Sequence, residues 1–370
     1  MERIFKLCNG DRLTCTEQAA VFQFSGPRMV LSTGASGGGM RDDLTAAFNY
    51  CDCGMAGVCQ PMQGNNLWEH QRAVARRLGL DPDHTTGLDT AANLDNMVVI
   101  TKRWEDLQIT AAVSGGADVN ALCAGDPAFL TEADGAPTSV PPGTINIFLI
   151  TDRPLAPGTM AELILTATEA KTAVLRDLMQ GSSISRELAT GTGTDGMVII
   201  CGTGQEGMLL NAGKHFKFGE LAAQAVREAV TEALFRQTGF CAQEQHTVLR
   251  RLHRFGITAD TLSAYCLARR PGQDAAIART IKKLDQDAFL VGAVVLYVHL
   301  EDQRRAGMLT ELEAGDWGEH LLRQVQQHYR CDLPLLQEAA LMDKLEHFLC
   351  QLLMSNLLEQ ERLYPNQPPI

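Results

Sequence analysis

The feature that most constrains the fold is a repeated pairing of a buried strand with a loop rich in glycine and hydroxyl residues. The apolar strand segments are 28–33, 107–113 and 197–200, and the adjoining loops are 34–39, 114–116 and 190–195. Glycine lets backbone N–H groups approach a ligand or another segment closely, and hydroxyls add donors and acceptors. We therefore predict a polar site at the strand ends, with a plain turn or a linker as the alternative for any one loop.

Hydrophobic periodicity supplies the other elements. Two strands are predicted within 3–23 around the turn Asn9-Gly10-Asp11, and a strand at 144–152 has an apolar middle that places it centrally in a sheet. Segments 97–101 and 107–113 read as strands, and a helix is expected to begin within 90–97. Helical spacing marks 67–78, 159–178 and 220–237. The predicted fold class is α/β, with α+β as the alternative, built on a mixed β-sheet core with flanking helices.

The C-terminal third has a different character. Residues 239–370 have helical spacing nearly throughout, broken at Arg270-Pro271-Gly272 and at Leu333-Pro334. Its apolar runs at 289–300 and 349–358 are too short to span a bilayer and are expected to form a core. The predicted domains are an α/β domain over 1–238 and an all-helical accessory domain over 239–370.

Charge and composition exclude several partners. The net charge is −12, and a nucleic-acid or anionic-membrane partner would require a concentrated basic surface. There is no apolar run of about 18 residues and no apolar segment at the N-terminus, so we expect a cytoplasmic protein with no membrane partner. The eleven cysteines are scattered, which favours reduced thiols over a disulfide framework.

One cysteine cluster is tighter than the rest. Cys51, Cys53 and Cys59 fall within nine residues and could ligate a soft metal or an iron–sulfur cluster. However, the cluster has no CxxC pair and no evident fourth ligand, so small buried cysteines are the favoured interpretation. We predict no metal site.

Several polar side chains follow the predicted strands or lie on the predicted helices. Asn120 and Asp126 could orient a substrate amide or could cap turns. On the helix 159–178, Glu169 is close to the hydroxyls of Thr168 and Thr172, with Lys171 on a neighbouring face. His215 precedes the helix 220–237, where a helix N-terminus favours anions, although a solvated loop histidine is the alternative.

Taken in order, these motifs resemble the adenosylcobinamide amidohydrolase family, the CbiZ proteins, over residues 28–235. The motifs are Ser32-Thr33, Gly37-Gly38-Gly39, Ser114-Gly115-Gly116, Asn120-Ala121, Ala124-Gly125-Asp126-Pro127, Gly143-Thr144-Ile145-Asn146-Ile147, Thr166-Ala167-Thr168-Glu169-Ala170-Lys171-Thr172, Ala189-Thr190-Gly191-Thr192-Gly193-Thr194-Asp195, Ala212-Gly213-Lys214-His215 and Gly219-Glu220. Two segments depart from the family pattern. Asn49-Tyr50-Cys51-Asp52-Cys53 resembles it loosely, and His215-Phe216-Lys217 stands where the family has lysine-serine-lysine.

The resemblance implies hydrolysis of the amide that joins the aminopropanol arm of adenosylcobinamide to the corrin ring. The product would be adenosylcobyric acid, for cobamide (vitamin B12) salvage or remodelling. The corrinoid is then the substrate, and no cofactor is expected. At the level of fold analogy, strand order and the threonine-rich loops resemble layered sandwiches of the N-terminal-nucleophile type.

Amide hydrolysis requires an activated nucleophile, donors for the oxyanion and an acid for the leaving amine. In one mechanism, Thr144, Ser114 or Thr192 attacks, with Lys171, Lys214 or His215 as the base. In the other, Glu169, Asp126 or Asp195 activates water, and the lack of an HExxH-like ligand pair favours a metal-free version. The expected catalytic residues are Glu169, Lys171, His215, Asp195 and Thr144.

The expected substrate-binding residues are those of the loops, because amide and hydroxyl groups suit the peripheral amides of a corrinoid. They are Ser32, Gly37, Gly38, Gly39, Ser114, Asn120, Asp126, Asn146, Thr190, Thr192, Thr194 and Lys214. Two other functions stay open: a non-catalytic corrinoid-binding protein, and a self-processing aminopeptidase or acyltransferase of related fold. A homo-oligomer is a further expectation that the sequence does not decide.

Overall fold

The structure is a computed structural model, and it describes residues 2–53, 61–128, 130 and 142–363, with side chains to 358. The chain divides into two compact units, Met1–Cys241 and Ala242–Ile370. The strands all lie in the first unit: β1 Arg3–Lys6, β2 Arg12–Cys15, β3 Ala19–Gln23, β4 Met29–Ser32, β5 Gly39–Arg41, β6 Ala46–Cys51, β7 Thr85–Thr90, β8 Val98–Trp104, β9 Leu107–Gly115, β10 Ala121–Leu122, β11 Ile145–Pro154, β12 Gly191–Thr192 and β13 Gly196–Gly202.

These strands form two main sheets. The first has the order β1-β2-β3-β6-β7, and the second has the order β5-β4-β13-β11-β9-β8. Strand β11 lies between β13, which is parallel to it, and β9, which is antiparallel, so the predicted central position is confirmed. Strands β10 and β12 form a separate antiparallel pair.

Three helices of the first unit cover the sheets: α1 Leu67–Arg77, α2 Pro157–Asp177 and α3 Lys217–Thr238. Alternation along β11 shows the layering, because Ile147 packs in a core with α2 and α3 whereas Phe148 faces the first sheet. Phe148 stacks on Phe22 of β3 at 4.3 Å between ring centroids. The outer face of the first sheet packs on α1 through Val74 and Ala75. The layer order is therefore helix, sheet, sheet, helices.

The second unit is helical where the structure describes it. Its helices are α4 Val248–Leu252, α5 Ala259–Leu267, α6 Asp274–Asp285, α7 Ala288–Arg305, α8 Glu311–Tyr329 and α9 Leu341–Leu363. The two predicted breaks fall between α5 and α6 and between α8 and α9, as expected from their prolines. Tyr297 is buried at the centre of this core and donates a hydrogen bond from its hydroxyl to the Leu341 carbonyl.

The predicted fold class is therefore confirmed: mixed sheets carry flanking helices, and a helical region follows. Three local predictions were wrong or incomplete. The two strands predicted around the turn at Gly10, whose φ is +87°, correspond to β1 and β3, and the strand β2 between them was missed. The helix expected to begin within 90–97 is only a short 3-10 turn, Leu94–Asn96. Strands β6 and β7 were not predicted, because β6 is buried on both faces and β7 carries few apolar residues.

Candidate functional site

Polar side chains from both sheets meet between them at one end of the sandwich. The Ser32 and Thr86 hydroxyls are 2.7 Å apart, and the Asn49 amide donates to the Ser114 hydroxyl at 2.7 Å. Asn146 donates to the Asn49 side-chain oxygen at 2.9 Å. All five residues are buried. We call them the polar layer; it joins the two sheets and includes three predicted binding residues, Ser32, Ser114 and Asn146.

The glycine loop after β4 packs directly on β7. A Cβ on Gly37, whose φ is +65°, would lie 2.3 Å from the Thr85 carbonyl oxygen, so only glycine fits there. A Cβ on Gly38 would lie 2.0 Å from the Gly34 oxygen. The loop is held from α1, since Gln71 accepts a hydrogen bond from the Ser36 N–H at 2.8 Å. The linker interpretation of this segment is therefore wrong.

Gln71 also connects this loop to an acidic cluster. Its amide donates to Asp89 Oδ2 at 2.6 Å, and the neighbouring residue on α1, His70, places Nε2 2.9 Å from Asp52 Oδ1 and 3.6 Å from Asp89 Oδ1. The three groups offer ligand atoms within 4.8 Å of one another. Asp89 also belongs to the network between the sheets, because its carbonyl accepts from Asn146 at 2.9 Å. We call Asp52, His70 and Asp89 the acid cluster.

The protonation of this cluster is unusual. Burial, and after it the nearby Asp52 carboxylate, raise the pKa of the Asp89 carboxyl to about 7. The hydrogen bond to Asp52 raises the pKa of the His70 ring. Asp89 Oδ1 is buried and has no hydrogen-bond donor within the described residues. One carboxylate oxygen therefore faces the imidazole with its lone pairs unused.

The tautomer of His70 follows from its other nitrogen. Nδ1 lies 2.9 Å from the Gln63 backbone nitrogen and accepts its N–H. The ring proton of the neutral form therefore sits on Nε2 and is donated to Asp52. A divalent metal bound at Nε2 would need the lone pair that this proton occupies. The ring thus presents a proton to the acid cluster, and this donor set does not suit a metal ion.

A second cluster holds the threonine-glycine loop, with Asp195 at its centre. Asp195 Oδ1 accepts from the Ile145 N–H at 2.9 Å and from the Thr192 hydroxyl at 2.5 Å. Oδ2 accepts from the Thr192 N–H at 3.0 Å and from the Lys171 ammonium. A Cβ on Gly191 would lie 2.4 Å from Asp195 Oδ2 and 2.7 Å from Lys171 Nζ. Four donors occupy the carboxylate, so its structural task is to anchor the loop.

Other predicted site residues tie the same loops together. The Thr144 hydroxyl donates to the Thr194 carbonyl at 2.8 Å, and the Thr194 hydroxyl donates to the Gly143 carbonyl at 3.2 Å. Asn120 also donates to Gly143, at 2.9 Å. Thr190 accepts the Ala124 N–H at 2.9 Å through its hydroxyl. These contacts bring the predicted residues together and give each hydroxyl a backbone partner.

The remaining predicted residues lie apart from these clusters. Asp126 accepts from the Cys123 N–H and from the Ser182 hydroxyl, both at 2.7 Å, which is the capping role favoured on residue type. Glu169 and Lys214 form an ion pair with both side chains more than half exposed. His215 is exposed, and Gly39 has open space around its Cβ position. Glu169 therefore points away from buried Lys171, because residues two apart face different sides of a helix.

The cysteine cluster lies next to the acid cluster in the chain. Cys51 donates to the Cys53 carbonyl at 3.1 Å, whereas Cys59 lies outside the described residues. Cys53 is disulfide-bonded, so the expectation of reduced thiols throughout was wrong at this position. The other cysteines that the structure describes carry free thiols.

Sequence reasoning missed the acid cluster entirely. Asp52 lies within a segment that matches the family pattern loosely, and His70 and Gln71 lie within the predicted helix 67–78, to which no site role was assigned. The sequence signal for the acid cluster is weak because its three residues come from three separate segments. A usable clue is the pair His70-Gln71, which lies between Glu69 and Arg72 on the predicted helix.

Comparison with known proteins now adds a family. The family model for adenosylcobinamide amidohydrolase matches residues 4–242. The chain belongs to the adenosylcobinamide amidohydrolase family. The matched range coincides with the layered unit, so both clusters and the polar layer lie inside the family region.

The chain is also similar to a curated protein of unknown function. An uncharacterized protein of Methanocaldococcus jannaschii is 36% identical over 184 residues, which cover 47% of this chain and 71% of the relative. The family name describes a hydrolase that acts on an amide. Within the described part of this amidohydrolase-family chain, the helices are too short or too polar to cross a membrane.

Proposed function

We propose that the protein hydrolyses the aminopropanol amide of adenosylcobinamide and releases adenosylcobyric acid and 1-amino-2-propanol. The family assignment carries this proposal, since the matched region includes the whole layered unit. The corrinoid is the substrate, and the reaction consumes water. The protein would serve salvage or remodelling of cobamides.

The polar end of the sandwich is the proposed location of the reaction. The polar layer contacts the acid cluster through Asn146 and Asp89, and the threonine-glycine loop at the same end of the sandwich leaves Gly193 and Thr194 exposed. A corrinoid carries many peripheral amides, which exposed loop groups of this kind can bind by hydrogen bonds. The acid cluster supplies titratable groups, which a purely corrinoid-binding protein would not need.

The contacts also rank the mechanisms considered from the sequence. A threonine nucleophile needs a base that can take its proton, and Asp195, the carboxylate next to Thr192, already accepts four hydrogen bonds. Lys171 in turn donates to Asp195. Direct attack by water is therefore the favoured route, and the acid cluster offers the titratable groups that could take the proton from this water.

The experiment incubates the purified full-length protein with adenosylcobinamide and follows 1-amino-2-propanol and adenosylcobyric acid by mass spectrometry. Both products should appear in equal amounts and in proportion to protein. A denaturing gel of the same sample tests the self-processing alternative, because that function requires the chain to be cut into two fragments. Corrinoid binding measured by equilibrium dialysis, without product release, would leave the binding-protein function instead.

A further inference from the structure

The acid cluster has the properties of a proton-transfer site, and its position makes this role specific. Asp89 is the next-to-last residue of the edge strand β7, at the polar end of the sandwich, where its carbonyl accepts a hydrogen bond from Asn146 of the central strand β11. Its side chain keeps 13% of its surface exposed, although Oδ1 is buried. The carboxyl group thus lies at the boundary between the core and the polar end.

A hydrogen bond holds one oxygen of the Asp89 carboxyl group, Oδ2, while the other oxygen, Oδ1, accepts none from the described residues. Gln71 fixes Oδ2 at 2.6 Å and is itself fixed by the Ser36 N–H of the glycine loop. Oδ1 is left without a described donor and is directed at the acid cluster. This contrasts with Asp195, where both oxygens are saturated. Of Asp89 and Asp195, Asp89 is the one whose carboxyl group keeps a lone pair free to take a proton.

We propose that Asp89 carries the proton between the attacking water and the departing amine, and that Asp52 and His70 act as positioning residues for its carboxyl group. This inference rests on the proposed function. The water oxygen bonds to the amide carbonyl carbon while one water proton passes to Asp89 Oδ1. That proton then passes from Oδ1 to the amide nitrogen as the C–N bond breaks, which leaves a carboxylic acid and a free amine and returns Asp89 to its ionised form.

The charges around Asp89 suit both halves of this cycle. Asp52 opposes ionisation of Asp89, while His70 and the Gln71 amide favour it, and Arg77 on α1 acts on His70 from the same helix. Both protonation states of Asp89 are accessible near neutral pH, because burial raises its pKa to about 7. His70 donates from Nε2 to Asp52, and the N–H of Gln63 bonded to Nδ1 fixes the orientation of the ring.

The test measures single-turnover release of 1-amino-2-propanol as a function of pH for the wild type and for Asp89→Asn. Loss of an acid–base group lowers rates by about 10²–10⁴-fold, so Asp89→Asn should lose that much while still binding the corrinoid. The matched control is Asp83→Asn, an exposed aspartate just before β7, which should keep the wild-type rate. Circular dichroism of each variant checks that it is folded.

The variant Asp52→Asn distinguishes proton transfer by Asp89 from a purely structural role, because a structural role would leave the pH–rate profile unchanged. Removing this negative charge lowers the pKa of Asp89, so the inflection of the pH–rate profile should move to lower pH while release continues. Infrared difference spectra, recorded without substrate, should show a carboxyl group that loses its proton as the pH rises through neutrality in the wild type and not in Asp89→Asn.

The outcomes separate the two proposals. If the wild type releases no amine, the proposed function fails, and the role of Asp89 in that reaction fails with it. If the wild type and Asp89→Asn release amine at similar rates, only the role of Asp89 is refuted. Loss of activity on treatment with a chelator, with rescue by a divalent metal that Asp89→Asn no longer binds, would also overturn it in favour of a metal site.

Discussion

Replacing Asp195 with alanine should destabilise the first unit strongly, because Asp195 is the anchor of the threonine-glycine loop. The change leaves the Lys171 ammonium, whose side chain is only 10% exposed, without its carboxylate. It also removes the acceptor of the Ile145 and Thr192 N–H groups. Breaking a buried ion pair on one side costs about 3–5 kcal/mol. For a unit of this size, each kcal/mol lowers the melting temperature by roughly 2–4 °C, so we expect a fall of about 6–20 °C.

Thermal and urea denaturation followed by circular dichroism measure this loss. The control is Glu169→Gln, since the Glu169–Lys214 pair is exposed and its loss should cost at most about 1 kcal/mol. The double variant Asp195→Ala with Lys171→Met removes the unpaired charge and should recover part of the stability. A cost below about 1 kcal/mol for Asp195→Ala, or a double variant no more stable than the single one, would refute the anchoring role.

Three further predictions follow from the same end of the sandwich. Gly37→Ala would place a Cβ 2.3 Å from a backbone oxygen of β7, so it should destabilise the protein by the backbone strain, about 1–3 kcal/mol, and by the clash in addition. Gly39→Ala has open space at the Cβ position and should cost only the strain in the same denaturation assay. Asn49→Leu removes the donor to the Ser114 hydroxyl and one of the two acceptors of the Asn146 amide, and it should cost about 1–3 kcal/mol for the Ser114 hydroxyl left unpaired; an unchanged urea midpoint would contradict this. Asp89→Asn should gain stability relative to the wild type as the pH rises from 4 towards 7. Over this range the unfolded wild-type chain releases the Asp89 proton while the folded protein keeps it, because its pKa is raised, so the wild type becomes less stable. A difference independent of pH would exclude the raised pKa.

The sequence was sufficient for the architecture where elements are apolar and regular. The central strand β11 and the helices α1, α2 and α3 were predicted within a few residues, because their periodicity and capping residues are clear. It was insufficient for β6 and β7. Both belong to a sheet that packs on two sides, and the polar side chains of Asn49 and Asp89 interrupt their apolar pattern. This interruption weakens the periodicity from which a strand is predicted.

The site shows the same division. The structure brings the predicted binding residues Ser32, Ser114 and Asn146 together in the polar layer, whereas Asp126 and Lys214 lie apart from it. Their individual roles could not be predicted, since residue type alone does not show which hydrogen bonds are already made. Asp195 and Asp89 are both half-buried aspartates near a glycine, yet the carboxylate of Asp195 accepts four hydrogen bonds and Oδ1 of Asp89 accepts none from the part of the chain that the structure describes. Only the contacts distinguish an anchor from a candidate acid.

The most direct test of the central claim, hydrolysis of the corrinoid amide, uses heavy-oxygen water. The purified full-length protein is incubated with adenosylcobinamide in this water, and the corrinoid product is analysed by mass spectrometry. The account predicts adenosylcobyric acid that carries one heavy oxygen atom in its newly formed carboxyl group, together with an equal amount of 1-amino-2-propanol. Adenosylcobinamide recovered unchanged after prolonged incubation with folded, corrinoid-binding protein would contradict it.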